Sequence, residues 1–256
     1  YQLSLPAALA GSRDGQGLGL LIPRVGVRYR VLFNGQELAE SCWYRGEGYC
    51  DAGTHVHAVR LPSALMAPRW DDNRVDIEVR GQDLRISGLA PVLVGPWDAV
   101  QQRHRWLDWW QVDLTWMVAA SAFMIGLLSM LLWLRTADRL FGLLAGGMLV
   151  LTVRLWLSTP VFVPGSFAVW DYVHKLSFTW YCGFLYLFIS ELFDFRQGFV
   201  RRLVVAMMAI GPIWLAVLEW TVNYQLYRFW TGVIVAVCVA ALVAVIHRAR
   251  WGMNVN

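Results

Sequence analysis

LTWMVAASAFMIGLLSMLLWL, residues 114–134, holds 21 residues without one Asp, Glu, Lys or Arg. A helix rises ~1.5 Å per residue, so about 20 such residues cross the ~30 Å hydrocarbon core of a bilayer. Four further apolar runs follow, at 140–158, 172–193, 203–220 and 227–246, with short loops between them. Five runs in succession argue against the buried core of a soluble helical protein. Upstream of about residue 112 the text changes, and charges, glycines and short alternating segments intermix. The expected fold class is β plus membrane α. It comprises an outer β-sandwich over 1–98, a juxtamembrane linker over 99–113 and a polytopic helical domain over 114–250.

Composition agrees with that division. The chain is 57% hydrophobic, above the ~45–50% of an ordinary soluble domain. Residues 1–111 carry 12 Arg against 12 acids, whereas residues 112–256 carry 10 Lys and Arg against 6 acids, which accounts for the net +4. The basic residues cluster beside apolar spans rather than on one face of a soluble domain, so nucleic acid is excluded as the expected partner and membrane lipid takes its place. The chain opens at Tyr1 in a strand-like segment. A signal sequence is expected upstream of it.

Loop arginines set the orientation. Arg135 and Arg139 follow the first run, Arg196, Arg201 and Arg202 the third, and His247, Arg248 and Arg250 the fifth. The loop 159–170 has no Lys or Arg, and the loop after the fourth run has only Arg228. Loops after odd runs are therefore expected in the cytoplasm and residues 1–111 outside, in the periplasm of a Gram-negative cell, with the helices in the inner membrane. Trp109, Trp110 and Trp116, and Trp156, Trp170, Trp220 and Trp230, lie where interfacial anchors belong.

The outer segment reads as many short strands and no convincing helix: 17–22, 27–33, 55–61, 74–80 and 92–95. Asn34-Gly35 follows the alternating run VRYRVLF, a hairpin signal because the turn requires positive φ at both central residues. Val75, Ile77 and Val79 alternate with Asp76, Glu78 and Arg80, giving one buried and one wet face. This pattern points to a sandwich of jelly-roll type.

Cys42 and Cys50 flank WYRGEGY. Outside the cytoplasm they either form a disulfide or remain two partly buried thiols. His55 and His57, two apart on an expected strand, share a face, but their spacing matches no established metal motif. No metal and no cofactor are assigned. Trp43, Tyr44, Trp70 and Trp97 offer a sugar-stacking platform, with Trp43, Tyr44 and Trp70 as candidate ligand-binding residues. The competing reading, aromatic core and membrane-facing rim, is the stronger by composition.

At this point a resemblance emerges. NGQEL after an alternating strand, LPSALMAPRWDDNRVDIEV, and GLAPVLVGPWDAV ahead of the first span resemble the jelly-roll outer domain of the bacterial seven-transmembrane receptors with diverse intracellular signalling modules. DRLFGLLAGGMLVLTVRLWLS and HKLSFTWYCGFLYLFISELFDF resemble that family's second and third spans. The resemblance implies two more spans after residue 250 and then a cytoplasmic output module in cis, a histidine kinase first and a diguanylate cyclase next. Five of seven spans are then present, and no catalytic residue is assigned to this chain.

Several polar residues fall inside the spans. Arg154 costs several kcal/mol there unless it snorkels or pairs. Asp171, His174 and Lys175 open the third span and Glu219 closes the fourth, all at the level of Arg154. Topology thus gathers Arg154, Asp171, His174, Lys175 and Glu219, either as a signal-sensing cluster or as snorkelling residues with one packing ion pair. Glu219 is the expected partner of Arg154. Glu191 and Asp194 are expected to pair with Arg196, Arg201 or Arg202, and Gly142, Gly146 and Gly147 to allow close helix packing. Cys182 and Cys238 read as apolar span residues.

Walker, HExxH, GxSxG and dinucleotide-binding motifs are missing. The expectation is a sensory receptor: an extracytoplasmic ligand, possible as carbohydrate, shifts helix packing in a monomer or homodimer and controls a two-component or cyclic-dinucleotide output. The alternatives are a transporter or its accessory subunit, for which only Gly211-Pro212 offers a helix break, and a membrane-anchored carbohydrate-binding module.

Overall fold

Strand β2 (Leu18–Ile22) is buried at every residue, and the reason orders the whole N-terminal unit. In the structure, a computed structural model, residues 1–5, 17–26, 28–41, 52–81, 88–159, 166–193, 198–221 and 224–252 are described. They fall into two units, Tyr1–Thr115 with Thr159–Phe167, and Trp116–Ser158 with Ala168–Asn256.

The described strands of the first unit form two antiparallel sheets. One has the order β1 (Gln2–Ser4), β6 (Arg74–Arg80), β3 (Arg28–Phe33), β4 (Gln36–Glu40), and the other β5 (His57–Leu61), β2, β7 (Leu93–Pro96). Tyr29, Val31, Phe33, Val75 and Ile77 from the first sheet meet Leu18, Leu20, Ile22, Val59 and Leu61 from the second in one core. This is an antiparallel β-sandwich-like region, compatible with the expected jelly roll. Alternation decides which side chains enter: β3 reads half-buried, buried in strict turn, as a period of two requires. On its wet face Arg30 binds Glu78 of β6 at 2.5 Å and Glu37 of β4 at 3.6 Å. Asn34 and Gly35 take φ of 50° and 82°, so the expected hairpin joins β3 to β4.

The other face of β2 is covered too. Helix α1 (Trp97–Asp108) lies against it, with Val100 buried beside Leu21 and Val56, and Trp97 and Leu107 packed around them. Gly19 faces the same way, and a Cβ there would come within 2.6 Å of the Trp97 ring. A strand covered on both faces reads as a continuous apolar run rather than an alternating one. The expectation of no helix in this region is therefore corrected. Trp97, Val100, His104 and Leu107 follow a 3–4–3 spacing, the signature of one helix face. Residues assigned to a linker form α1 and a π-helical turn, Trp109–Asp113, which leads into α2 (Leu114–Thr136). Helix runs unbroken from Trp97 to Thr136.

In the second unit, α2 buries Ala119, Ala122, Gly126 and Ser129 and exposes Phe123, Leu127, Leu128 and Leu131. Small residues inward and large apolar ones outward is the arrangement of a helix solvated by lipid. Ala137, at φ 55°, ends α2 with its amide on Trp133 O at 2.7 Å. Asp138 then caps α3 (Arg139–Ser158) through Leu140 N at 2.9 Å. Helices α4 (Phe167–Leu192), α5 (Gly198–Thr221) and α6 (Tyr224–Gly252) follow. Glu191 pairs with Arg201 at 3.2 Å, one of the expected partners, and Gly146 seats the Phe184 ring.

Three of these helical stretches are long and apolar enough to cross a membrane: Trp97–Thr136, Arg139–Ser158 and Gly198–Thr221. Five were expected. Helix α4 has the length, but its first turns carry Asp171, His174 and Lys175, which lower its apolar character. In α6 the apolar stretch among described residues is the shorter Gln225–Ala240.

Candidate functional site

The polar residues singled out in the spans do converge, but in two seams rather than one. Asp171 and Lys175 are four apart on α4 and so share a face. That face meets α5: Lys175 Nζ lies 2.5 Å from Asp171 Oδ2 and 2.7 Å from Glu219 Oε2. Helix α6 closes the third side, with the Tyr227 ring centroid 4.9 Å from Nζ. Both Asp171 and Lys175 are buried. One cation thus serves two carboxylates from two helices, inside a bundle where an uncompensated charge costs several kcal/mol.

Arg154 belongs to the second seam, and the expectation that Glu219 is its partner is overturned. Its Nη1 donates to His174 O at 3.3 Å, and its guanidinium carbon stands 4.7 Å from the Phe178 centroid. Among the described residues no carboxylate pairs with it. His174 and Phe178 form the i, i+4 stripe adjacent to Asp171 and Lys175, about 100° round the helix. Equal depth brought the five residues to one level, but azimuth separated them: α3 faces one stripe of α4 and α5 the other. Ser158 gives its hydroxyl proton to Arg154 O at 2.8 Å, so His174 donates to Ser158 Oγ from Nε2, 3.1 Å away.

A further connection was missed by sequence reasoning. Pro212 lies inside α5 and has no amide proton, so the carbonyl four residues earlier loses its helical donor. That carbonyl is Met208 O, and Trp180 Nε1 of α4 donates to it at 3.0 Å. Tyr172 OH donates to Pro212 O at 3.0 Å. Gly211-Pro212 is therefore no break, because α5 continues through it. The signal was a proline within an apolar run opposite a run holding Trp and Tyr, but the sequence does not tell which carbonyl each reaches.

In the β unit, Trp70 sits in a 3-10 turn, Trp70–Asp72, packed at the edge of the sandwich core. Trp43 and Tyr44 lie outside the described residues, as do Cys42 and Cys50 with the question of their disulfide. His55 precedes β5 rather than lying on it. Both imidazoles are committed to backbone: His55 Nε2 is 2.7 Å from Thr159 O and His57 Nε2 donates to Ala52 O at 3.0 Å. His104 Nε2 donates to Val56 O at 3.1 Å, fixing α1 to the sheet. His57 also stacks obliquely on Tyr29, ring centroids 4.6 Å apart. Burial holds His57 below its ordinary value of 6.5, reinforced by the nearby His55 and His104, and pushes the Tyr29 hydroxyl up to about 12. Among the described residues no three His, Cys, Asp or Glu converge as metal ligands. Compared with family models, curated proteins and solved structures, the chain finds no match.

Proposed function

We propose that this chain is the sensory and membrane portion of a bacterial signal receptor. Its β-sandwich lies in the periplasm and five helices cross the inner membrane, α4 and α6 joining the three apolar stretches. An extracytoplasmic ligand alters helix packing, which sets the activity of a cytoplasmic output, a histidine kinase before a diguanylate cyclase. One observation carries the reading: the helix that covers the β5–β2–β7 sheet is the same helix that runs on into the first apolar span. A ligand that favours one position of that sheet has a covalent route to the bundle. To act, it must bind one helix arrangement more tightly than the other by a few kcal/mol. Lys175, shared between α4 and α5, is a contact that differs between two such arrangements.

The test is the reading frame downstream of Asn256. Two further spans followed by kinase or cyclase sequence support the proposal. A stop codon directly after residue 256, or five more spans without a soluble domain, overturns it in favour of an anchor or a transporter.

A further inference from the structure

Cys182 of α4 and Cys238 of α6 are free thiols that meet across the bundle, Cys238 Sγ donating to Cys182 O at 3.8 Å. Both border a cavity of about 20 Å³ that Met207 and Met208 of α5 also line. Gly183, the residue after Cys182, has no side chain, and the Met208 sulfur occupies the space a Cβ would take. Three helices therefore contribute four sulfur-bearing residues to the lining of one small void. A cavity of about 20 Å³ has room for one occupant the size of a water molecule or an ion. Water fits by size but needs two to four polar partners. Of the two hydroxyl-bearing residues in the lining, Thr179 already donates from Oγ1 to Lys175 O and accepts from Trp230 Nε1, which leaves the Tyr186 phenol as one polar partner where water needs two or more. What the void offers is soft donors and room for a single ion.

We propose that Cys182, Cys238, Met207 and Met208 form a site for a soft monovalent metal, cuprous ion above others. Thiolate and thioether ligands select Cu(I), whereas zinc sites use thiolate, imidazole and carboxylate without thioether. Binding is a ligand exchange with no change of oxidation state: Cu⁺ and two thiols give a bis-thiolate cuprous centre of charge −1 and release two protons to solvent. A buried charge needs a counter-charge. Arg154 supplies it, its guanidinium resting on Phe178, one helical turn from Cys182. The site stands independently of the receptor reading.

The test uses the whole chain in detergent, carrying C42S and C50S so that only the bundle thiols remain, titrated anaerobically with Cu(I) held by a chromophoric chelator. One Cu(I) per chain is expected. Loss of even an outer partner of a metal ligand costs about 10–100-fold in affinity, so Cys182→Ser and Cys238→Ser should each weaken binding at least tenfold. X-ray absorption on the bound copper needs no further variant and should show sulfur ligands alone. The proposal is overturned by absence of stoichiometric binding, by binding that survives both serine substitutions, by nitrogen or oxygen ligation, or by a Cys182–Cys238 disulfide in the chain as purified.

Discussion

Asn34 Nδ2 donates to Asn73 Oδ1 at 3.0 Å, joining the β3–β4 hairpin turn to the residue just before β6. Each asparagine does more. Asn73, fully buried, also accepts from Ala67 N at 2.8 Å and donates to Trp70 O at 3.0 Å. Asn34 donates to Leu65 O at 2.7 Å and accepts from Arg74 N at 2.8 Å. The stretches NGQEL and LPSALMAPRWDDNRVDIEV are thus held together by their asparagines.

Replacing Asn73 by Ala takes the side-chain acceptor away from Ala67 N and Asn34 Nδ2 and one of two donors away from Trp70 O, which keeps the residue-73 amide at 3.1 Å. Each unsatisfied buried group costs about 1–3 kcal/mol. Asn73→Ala should therefore destabilise the sandwich by about 1–3 kcal/mol, read as a lower denaturation midpoint by tryptophan fluorescence of the whole chain. An unchanged midpoint would show the network to be dispensable.

Two carboxylates share the one Lys175 cation, a group of net charge −1, and removing it takes away the cation that holds both. Lys175→Met should cost about 3–5 kcal/mol, as breaking a buried pair from one side does. The triple variant K175M/D171N/E219Q should recover most of the loss in thermal unfolding in detergent. If the triple variant is no more stable than K175M, charge is not what the cation supplies.

Trp180 and Pro212 are predicted to be energetically coupled. In the native chain the indole satisfies the carbonyl orphaned by proline, and Trp180→Phe should cost about 1–3 kcal/mol. With Pro212→Ala the helix regains its own donor, and the same indole loss should cost clearly less. A double-mutant cycle measures this directly, and additive effects would contradict it.

The sandwich should lose stability in mild acid. The folded value of His57 lies below 6.5, so the unfolded chain takes up its proton first. The contribution is fully present above about pH 6.5 and is lost as pH falls from there through the folded value. The groups facing the imidazole are Tyr29, His55, His104 and Asp108. His57→Phe should flatten the fall in melting temperature between neutral pH and pH 5. A variant curve parallel to the native one would assign the acid sensitivity elsewhere.

Orientation is tested by cysteines placed at the exposed Ser166 and Thr136. In whole cells an impermeant thiol reagent should modify the first and spare the second. The reverse pattern inverts the topology drawn from loop arginines and removes the receptor proposal with it.

The residues alone determined the division into a β unit and a helical unit, the hairpin at Asn34-Gly35, the buried faces of β3 and β6 and the gathering of five polar residues at one level. Each of these follows from a local period or from helix length, which are properties of neighbours in sequence. Tertiary structure decided the rest. Helix α1 went unread because its packed face has only three apolar residues, Trp97, Val100 and Leu107, and shows itself only against Gly19 and Leu21 of β2. The partner of Arg154 went wrong because depth follows from counting along a span, whereas azimuth is fixed by which stripe of α4 each neighbour meets. Trp180 donating to Met208 O, the carbonyl that Pro212 orphans, and two cysteines sharing a void with two methionines join residues 28 and 56 positions apart. Such meetings are settled by how side chains of three helices fill common space, and no window along the chain contains that information.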